Sequence, residues 1–558
     1  MTDDRSAVEA LSERFWEGVL ELDPVTATFY GDERYADRLE DPSPAGRARV
    51  REHMERTAAE AAAIPTDDLD TEERITRDML QVIGELRVEE DDQGLHQLRV
   101  VDQMNGPQQL MPQLTQFQPV DTPERLEAFI ARLHAYPAFM AANTDILREA
   151  LGTGLTAPSI VTERTIAQVE RMLAIPIDQA IIPSSVQGAS DADRERIRDI
   201  VRDVVYPADA AFLETLRGEY RHASREEPGI WSAPNGDAIY RTAIRSWTTL
   251  DMDPREIHQI GLDELETIEA ERREIAAAAG FGDDTAAYRA SLDADDANTP
   301  QTKQELVDRA TEDIERAMAA APTYFGTLPK AGLDVRPVEE YKEKDAPFAY
   351  YYPPAADGSR DGIYYANGYD LQSRKYTKLA STTYHEAAPG HHFQIALEME
   401  NPRLNTFRRL GSRIVGGAYV EGWGLYSERL ADEMGLYRSE GERFGMLDAQ
   451  AWRAARLVVD TGLHALRWQR QRSIDFLRDA GLSETDAVIE TDRYICWPGQ
   501  ALTYKLGQRQ IEKLRREISE RDGARFDLRE FHDQVLGHGS LPLATLAREL
   551  PTWVATPA

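Results

Sequence analysis

The chain has 558 residues and carries 98 acidic against 64 basic side chains, a formal net charge of −34. A surface so negative repels phosphate backbones, which argues against nucleic-acid binding, and no apolar run approaches the ~20 residues that a bilayer span requires. The single cysteine, Cys496, rules out an internal disulfide and a thiolate cluster, so any metal must be held by histidine and carboxylate.

The apolar fraction of 42% is that of a globular protein with a large core. Residues Met1-Thr2-Asp3-Asp4-Arg5 open acidic, without the apolar core behind a basic start that marks a secretory signal, so the expected compartment is the cytoplasm. Acid is spread along the whole chain and the bases are nearly all Arg, a pattern that suits salt adaptation or a GC-rich genome.

From Ser6 to about Leu86 apolar residues recur at three and four spacing, as in Val8, Leu11, Phe15 and Val19, which predicts amphipathic helices. Similar patterns fill Pro123 to Leu151, Ile160 to Ala180 and Ala192 to Tyr220, with Asp23-Pro24, Asp41-Pro42 and Thr122-Pro123 as turns or helix starts. A Gly- and Pro-rich texture around Pro228 to Tyr240 suggests a joint, dividing an N-terminal helical lobe (1–240) from a helical catalytic lobe (241–558) within one continuous unit. Helices resume at Pro254 to Ala279 and Gln301 to Ala321. Phe348 to Tyr352, a polar loop and Gly362 to Ala366 read as an aromatic β-hairpin. Three long helical stretches follow, at Thr377 to Glu400, Gly417 to Glu433 and Leu447 to Ala480.

The chemistry concentrates in His385-Glu386-Ala387-Ala388-Pro389-Gly390-His391-His392. Zinc hydrolysis needs two or three nitrogen or oxygen ligands, an open position for water, and a carboxylate to take that water's proton. His385 and Glu386 supply a ligand and a base side by side. In an unbroken helix His391 points about 120° from His385, and His392 returns to the same face about 10.5 Å further on. Neither position suits a shared metal, but Pro389 cannot donate to the His385 carbonyl and Gly390 loosens the backbone, so a local break can return one histidine to the site. His391 is the favoured ligand, with His392 as the alternative ligand or as a supporting donor. Glu421 is the expected carboxylate ligand, and Glu428, on the same helical face seven residues on, can orient a histidine.

This block, together with Glu421-Gly422-Trp423-Gly424-Leu425-Tyr426-Ser427-Glu428, the Asp460 to Trp468 segment and the Pro498 to Gly507 segment, resembles the signature of the domain of unknown function 885 family. The resemblance covers most of the chain. It implies a mainly α fold like that of the helical gluzincin peptidases, with a small hairpin or sheet beside the active-site helix, and a Zn2+ cofactor. From the ordinary H-E-x-x-H of those peptidases the sequence departs by its Pro-Gly insertion.

The expected activity is hydrolysis of short peptides, or of another amide, with Glu386 as general base. Tyr504 is the candidate oxyanion donor, by its resemblance to the late tyrosine of helical gluzincins, with a buried structural role as the alternative. His464, on an apolar helix, is either a core histidine or a further donor near the reaction. The aromatic hairpin is either an edge along which a peptide aligns or core packing. His532 and His538 read as structural. Two rivals stand beside this reading: an Fe(II) site built from two histidines and a carboxylate, and a non-enzymatic helical interaction protein with a vestigial site.

Overall fold

Helix starts are written into the sequence as capping residues. Ser6, Asp70, Thr122, Asp253, Thr302 and Ser439 each accept a hydrogen bond from a backbone N–H in the first turn that follows. The helices needed below are α1 (Ala7–Leu22), α2 (Pro44–Ala63), α3 (Thr71–Asp92), α4 (Pro123–Thr153), α5 (Pro254–Ala278), α6 (Lys303–Ala320), α7 (Tyr376–Glu386), α8 (His391–Glu400), α9 (Gly417–Glu433), α10 (Glu440–His464), α11 (Glu484–Cys496) and α12 (Thr503–Asp522). The computed structural model describes residues 6–339, 343, 346–355, 358 and 360–554, so the acidic opening at 1–5 and part of the polar hairpin loop lie outside the described residues. Among the described residues, no helix is long and apolar enough to cross a membrane.

Two apolar cores share one central helix. The first joins Leu11 and Phe15 of α1 and Met79 of α3 to Trp423 and Leu430 of α9 and to Phe531 and Leu546 near the C-terminus. The second joins Phe129, Leu133 and Tyr136 of α4 to Val201 and Phe212, and to Leu463, Trp468 and Tyr494. α10 is buried over most of its surface because it runs between them, giving Leu447, Ala451 and Ala454 to one and Ala455, Val458 and Leu463 to the other. Residues from both sides of position 240 therefore pack together, and position 240 itself lies inside the helix Gly236–Thr248.

The aromatic hairpin forms as expected. β2 (Ala349–Tyr352) pairs antiparallel with β3 (Gly362–Ala366), with Tyr351 opposite Tyr364. A third strand, β1 (Leu333–Pro337), lies parallel to β3 and was not anticipated; the sheet order is β1-β3-β2, which leaves β2 on an edge. α7 packs against β2.

Two of the long helical stretches divide. Leu447 to Ala480 holds the end of α10 at His464 and a separate helix, Arg470–Asp479, with Arg467 in the left-handed region (φ 60°) at the turn between them. Thr377 to Glu400 is α7 and α8, interrupted between Ala387 and Gly390.

Candidate metal centre

The interruption between α7 and α8 assembles the site. α7 ends on Glu386, the chain turns through Ala387 (φ −105°, ψ −110°), the cis Ala388–Pro389 bond and Gly390, and α8 begins on His391. A Cβ on Gly390 would stand 1.9 Å from the His385 carbonyl oxygen, so only glycine fits the turn. The indole N–H of the buried Trp423 donates to the Pro389 carbonyl at 2.9 Å, and the Ser427 hydroxyl donates to the Tyr384 carbonyl at 3.0 Å, both fastening the turn to α9.

With the helical register reset, His391 comes back to His385. Their rings lie 4.7 Å apart, nearly perpendicular, and His385, Glu386 and His391 each place a donor atom within 4.8 Å of the others. Glu421 enters from α9: its Oε2 lies 3.5 Å from Nε2 of His385 and 3.7 Å from Nε2 of His391. Ligand atoms bound tetrahedrally to zinc at 2.0–2.1 Å are roughly 3.3 Å from one another. The carboxylate oxygen thus stands from each imidazole nitrogen at close to the spacing such an ion requires, and the chemistry of the three groups matches it.

α9 supports His385 on its other side as well. Oε1 of Glu428 lies 2.8 Å from Nδ1 of His385, while Oε2 of Glu428 accepts from the Ser381 hydroxyl at 2.8 Å. Gly424, midway between Glu421 and Glu428, supplies the space: a Cβ there would meet the His385 ring at 2.7 Å. The imidazole therefore lies in a notch of α9 between two glutamates. Carboxylate backing of this kind fixes the tautomer and orientation of a metal-binding histidine.

The charges follow from these contacts. Burial opposes protonation of His385, but its hydrogen bonds to Glu421 and Glu428 outweigh that and raise its pKa to about 9. Burial likewise opposes ionisation of Glu421, yet His385 and His391 hold it well below the usual carboxylate range. Glu428 is buried too, and is kept low by the Arg453 charge and by His385. The free site is a charged His–Glu cluster, and an incoming cation must displace the His385 proton.

Glu386 is half-buried, and its Oε2 accepts the Tyr351 backbone N–H at 3.2 Å from the outer edge of β2. The Tyr504 ring lies 6.5 Å from that of His385, with the Arg456 guanidinium 4.3 Å over its face. Tyr504 is half-buried, and its hydroxyl makes no hydrogen bond among the described residues.

Two of the histidines singled out from sequence do not join the cluster. His392 turns away from His391 and pairs through Nδ1 with the Tyr351 hydroxyl at 3.0 Å; burial lowers its pKa to about 4. It braces the strand that holds Glu386. His464 is fully buried, and the main chain takes both of its ring nitrogens: Nδ1 accepts from the Ile230 N–H at 3.1 Å and Nε2 donates to the Tyr494 carbonyl at 2.9 Å. It has no nitrogen left for a substrate, and the core role is the one it fills. His532 is engaged by the Tyr324 carbonyl and the Tyr426 hydroxyl, and His538 by Glu72 and Gln534. Burial, with the Asp102 carboxylate nearby, keeps the Cys496 thiol protonated. Sequence reasoning missed the Tyr351 N–H; Gly422 and Gly424 do mark α9 in the sequence as a helix that others approach closely, and the structure sets the Gly507 backbone against the first and the His385 ring against the second.

The fold and the cluster define a mainly helical protein with a His–Glu centre at a helix interruption. The chain belongs to the family described as "Bacterial protein of unknown function (DUF885)", whose model matches residues 24–550. No curated protein matches it. Among solved structures it is similar to a "putative lipoprotein" from Colwellia psychrerythraea, at 29% identity and a TM-score of 0.91, covering 99% of this chain and 100% of that one. It also shares its fold with a "putative lipoprotein of unknown function" from Shewanella oneidensis, at 19% identity and a TM-score of 0.77, covering 98% and 99%.

Proposed function

We propose that the protein is a zinc-dependent hydrolase that cleaves a peptide bond, or another amide, in a short substrate, in the manner of the helical gluzincin peptidases. The observation that carries this reading is the convergence of Nε2 of His385, Nε2 of His391 and Oε2 of Glu421, at 3.5 and 3.7 Å, with a second carboxylate, Glu386, within 4.8 Å of both histidines and left as the base once Glu421 takes the ligand position. An oxygen-activating iron centre has no evident task for that carboxylate, whereas hydrolysis does.

Zinc held by His385, His391 and Glu421 would supply a Lewis acid and a water of pKa near ~7. Glu386 accepts a proton from the attacking water and returns it to the leaving amine, so that water's OH ends on the acyl carbon and its H on the amine. The Tyr351 N–H holds one oxygen of Glu386, leaving the other to face the water. Tyr504, its ring propped by Arg456, offers a phenolic proton to the carbonyl oxygen as negative charge develops there.

The test is cleavage of short peptides by zinc-loaded protein, compared with Glu386→Gln. The reading expects the variant to bind zinc and fail to cleave; equal cleavage by both would overturn it. Cell fractionation decides between the cytoplasm, expected from the sequence, and the membrane attachment suggested by how the two structural neighbours are described.

A further inference from the structure

α12 lies hard against α9: a Cβ on Gly507 would stand 1.9 Å from the Ala418 carbonyl oxygen and 2.7 Å from the Cα of Gly422. Beside this contact Tyr504 brings its ring to that of His385. The next residue, Lys505, is only 2% exposed and carries a charge that the proposed hydrolysis does not use. Its ammonium donates to Oε1 of Gln450 at 2.8 Å and to Oε1 of Gln508 at 2.7 Å, both buried amides, while the Glu264 carboxylate stays 3.8 Å away. Burial lowers the Lys505 pKa to about 8, so the group is still charged at neutral pH. An ammonium buried against neutral amides is costly, and a methionine would fill the same space without that cost.

What the charge does is read at Gln450, whose amide lies between Lys505 and α9. Oε1 of Gln450 accepts from Lys505 and, at 2.9 Å, from the Gln508 amide; its Nε2 donates to the Leu425 carbonyl at 3.1 Å and to Oε2 of Glu428 at 3.4 Å. An amide has one accepting and one donating end, and an ammonium can only donate. Turned the other way, Gln450 would set its N–H against the ammonium and its oxygen against the Leu425 carbonyl and the Glu428 carboxylate, and both contacts repel. Lys505 therefore fixes the donating end of Gln450 towards α9. There the Gln450 N–H joins the Ser381 hydroxyl, 2.8 Å away, on Oε2 of Glu428. Two donors on that oxygen hold a carboxylate torsion that is otherwise soft, with Oε1 aimed at Nδ1 of His385 at 2.8 Å. Hydrogen bonds thus run without a gap from Lys505 through Gln450 and Glu428 to His385.

We propose that Lys505 and Gln450 are positioning residues for the metal centre: the ammonium orients the Gln450 amide, which holds the Glu428 carboxylate and through it the His385 imidazole in the geometry that binds zinc. The proposal rests on the metal site of the hydrolase reading above. Gln508 marks its boundary. That residue bonds to Lys505, to Gln450 and, at 3.5 Å, to the Leu425 carbonyl, so it packs the same buried knot without a hydrogen bond to Glu428.

The experiment is zinc affinity by chelator competition on the full chain, below the thermal midpoint of every variant. Gln450→Met and Lys505→Met should each weaken zinc binding about 3–10-fold, less than the loss of a partner that touches the histidine itself. Neither should weaken it further in a Glu428→Gln background, because both act through that carboxylate. Gln508→Leu controls for damage to the packing alone: it should lower the thermal midpoint and leave zinc affinity as in the wild type. Wild-type affinity in both Met variants, a loss that persists at full size beside Glu428→Gln, or an equal loss in Gln508→Leu would overturn the proposal. The hydrolase reading fails separately, as zinc-loaded wild-type protein that cleaves no peptide while the coupling to Glu428 stands; a wild type that binds no zinc overturns both.

Discussion

His385 and His464 are both buried, yet the protein holds them in opposite states. The pKa of His385 is raised to about 9 and that of His464 is lowered to about 4. Burial opposes the charge on both rings; the partners differ. His385 faces Glu421 and Glu428, whereas His464 accepts from one backbone N–H and donates to one backbone carbonyl. A ring bound by the main chain is locked neutral and inert. A ring between two carboxylates is poised to exchange its proton for a metal ion.

The largest effect that sharpens this contrast belongs to Glu386. Glu386→Gln should lower peptide cleavage by about 10³-fold while zinc content stays at the wild-type level, which steady-state kinetics with metal analysis will check. His464→Ala should do the reverse. Leaving the Ile230 N–H and the Tyr494 carbonyl without a partner and opening a void should destabilise the fold by about 2–4 kcal/mol, with zinc affinity unchanged in the folded protein; chemical denaturation measures it. Zinc loss in His464→Ala at temperatures where the variant is folded would break the comparison.

Glu428→Gln comes next. Removing the carboxylate behind Nδ1 should weaken zinc binding about 10–100-fold, read by competition with a chelator of known affinity. The smallest effects are those of pH on the metal-free protein. His385 has a folded pKa above the ~6.5 of an unfolded histidine, so its contribution to stability is complete below ~6.5 and is lost as pH rises through about 9. His464 has a folded pKa below ~6.5, so its contribution is complete above ~6.5 and is lost as pH falls toward about 4. Thermal midpoints of wild type, His385→Gln and His464→Gln against pH should separate the two windows. Zinc affinity should also fall by up to about tenfold per pH unit as pH drops below 9, because the His385 proton competes with the ion.

Much of this was legible in the residues, and the failures have physical causes. The His-Glu pair, the Pro-Gly break and the two glutamates on one face of α9 were readable because each obeys a local rule of helix geometry. Which histidine came back to His385 was decided by the turn from Ala387 to Gly390, whose dihedrals lie outside any helical period. β1 escaped because it is five residues long and finds its parallel partner across a long connection, although its residues alternate apolar and polar up to Pro337. The end of α10 escaped because its turn uses Arg467, and neither glycine nor proline marks it. The sequence leaves His464 between a core and a donor role, because the backbone groups that take its two nitrogens, at Ile230 and Tyr494, come from distant segments.

Elemental analysis of purified protein tests the central claim most directly, comparing wild type with His385→Ala, Glu421→Ala, His392→Gln and His464→Gln. About one zinc per chain in the wild type, lost from the first two variants and kept by the last two, is the result expected. Metal-replete wild-type protein without zinc, or zinc retained in both His385→Ala and Glu421→Ala, would contradict it.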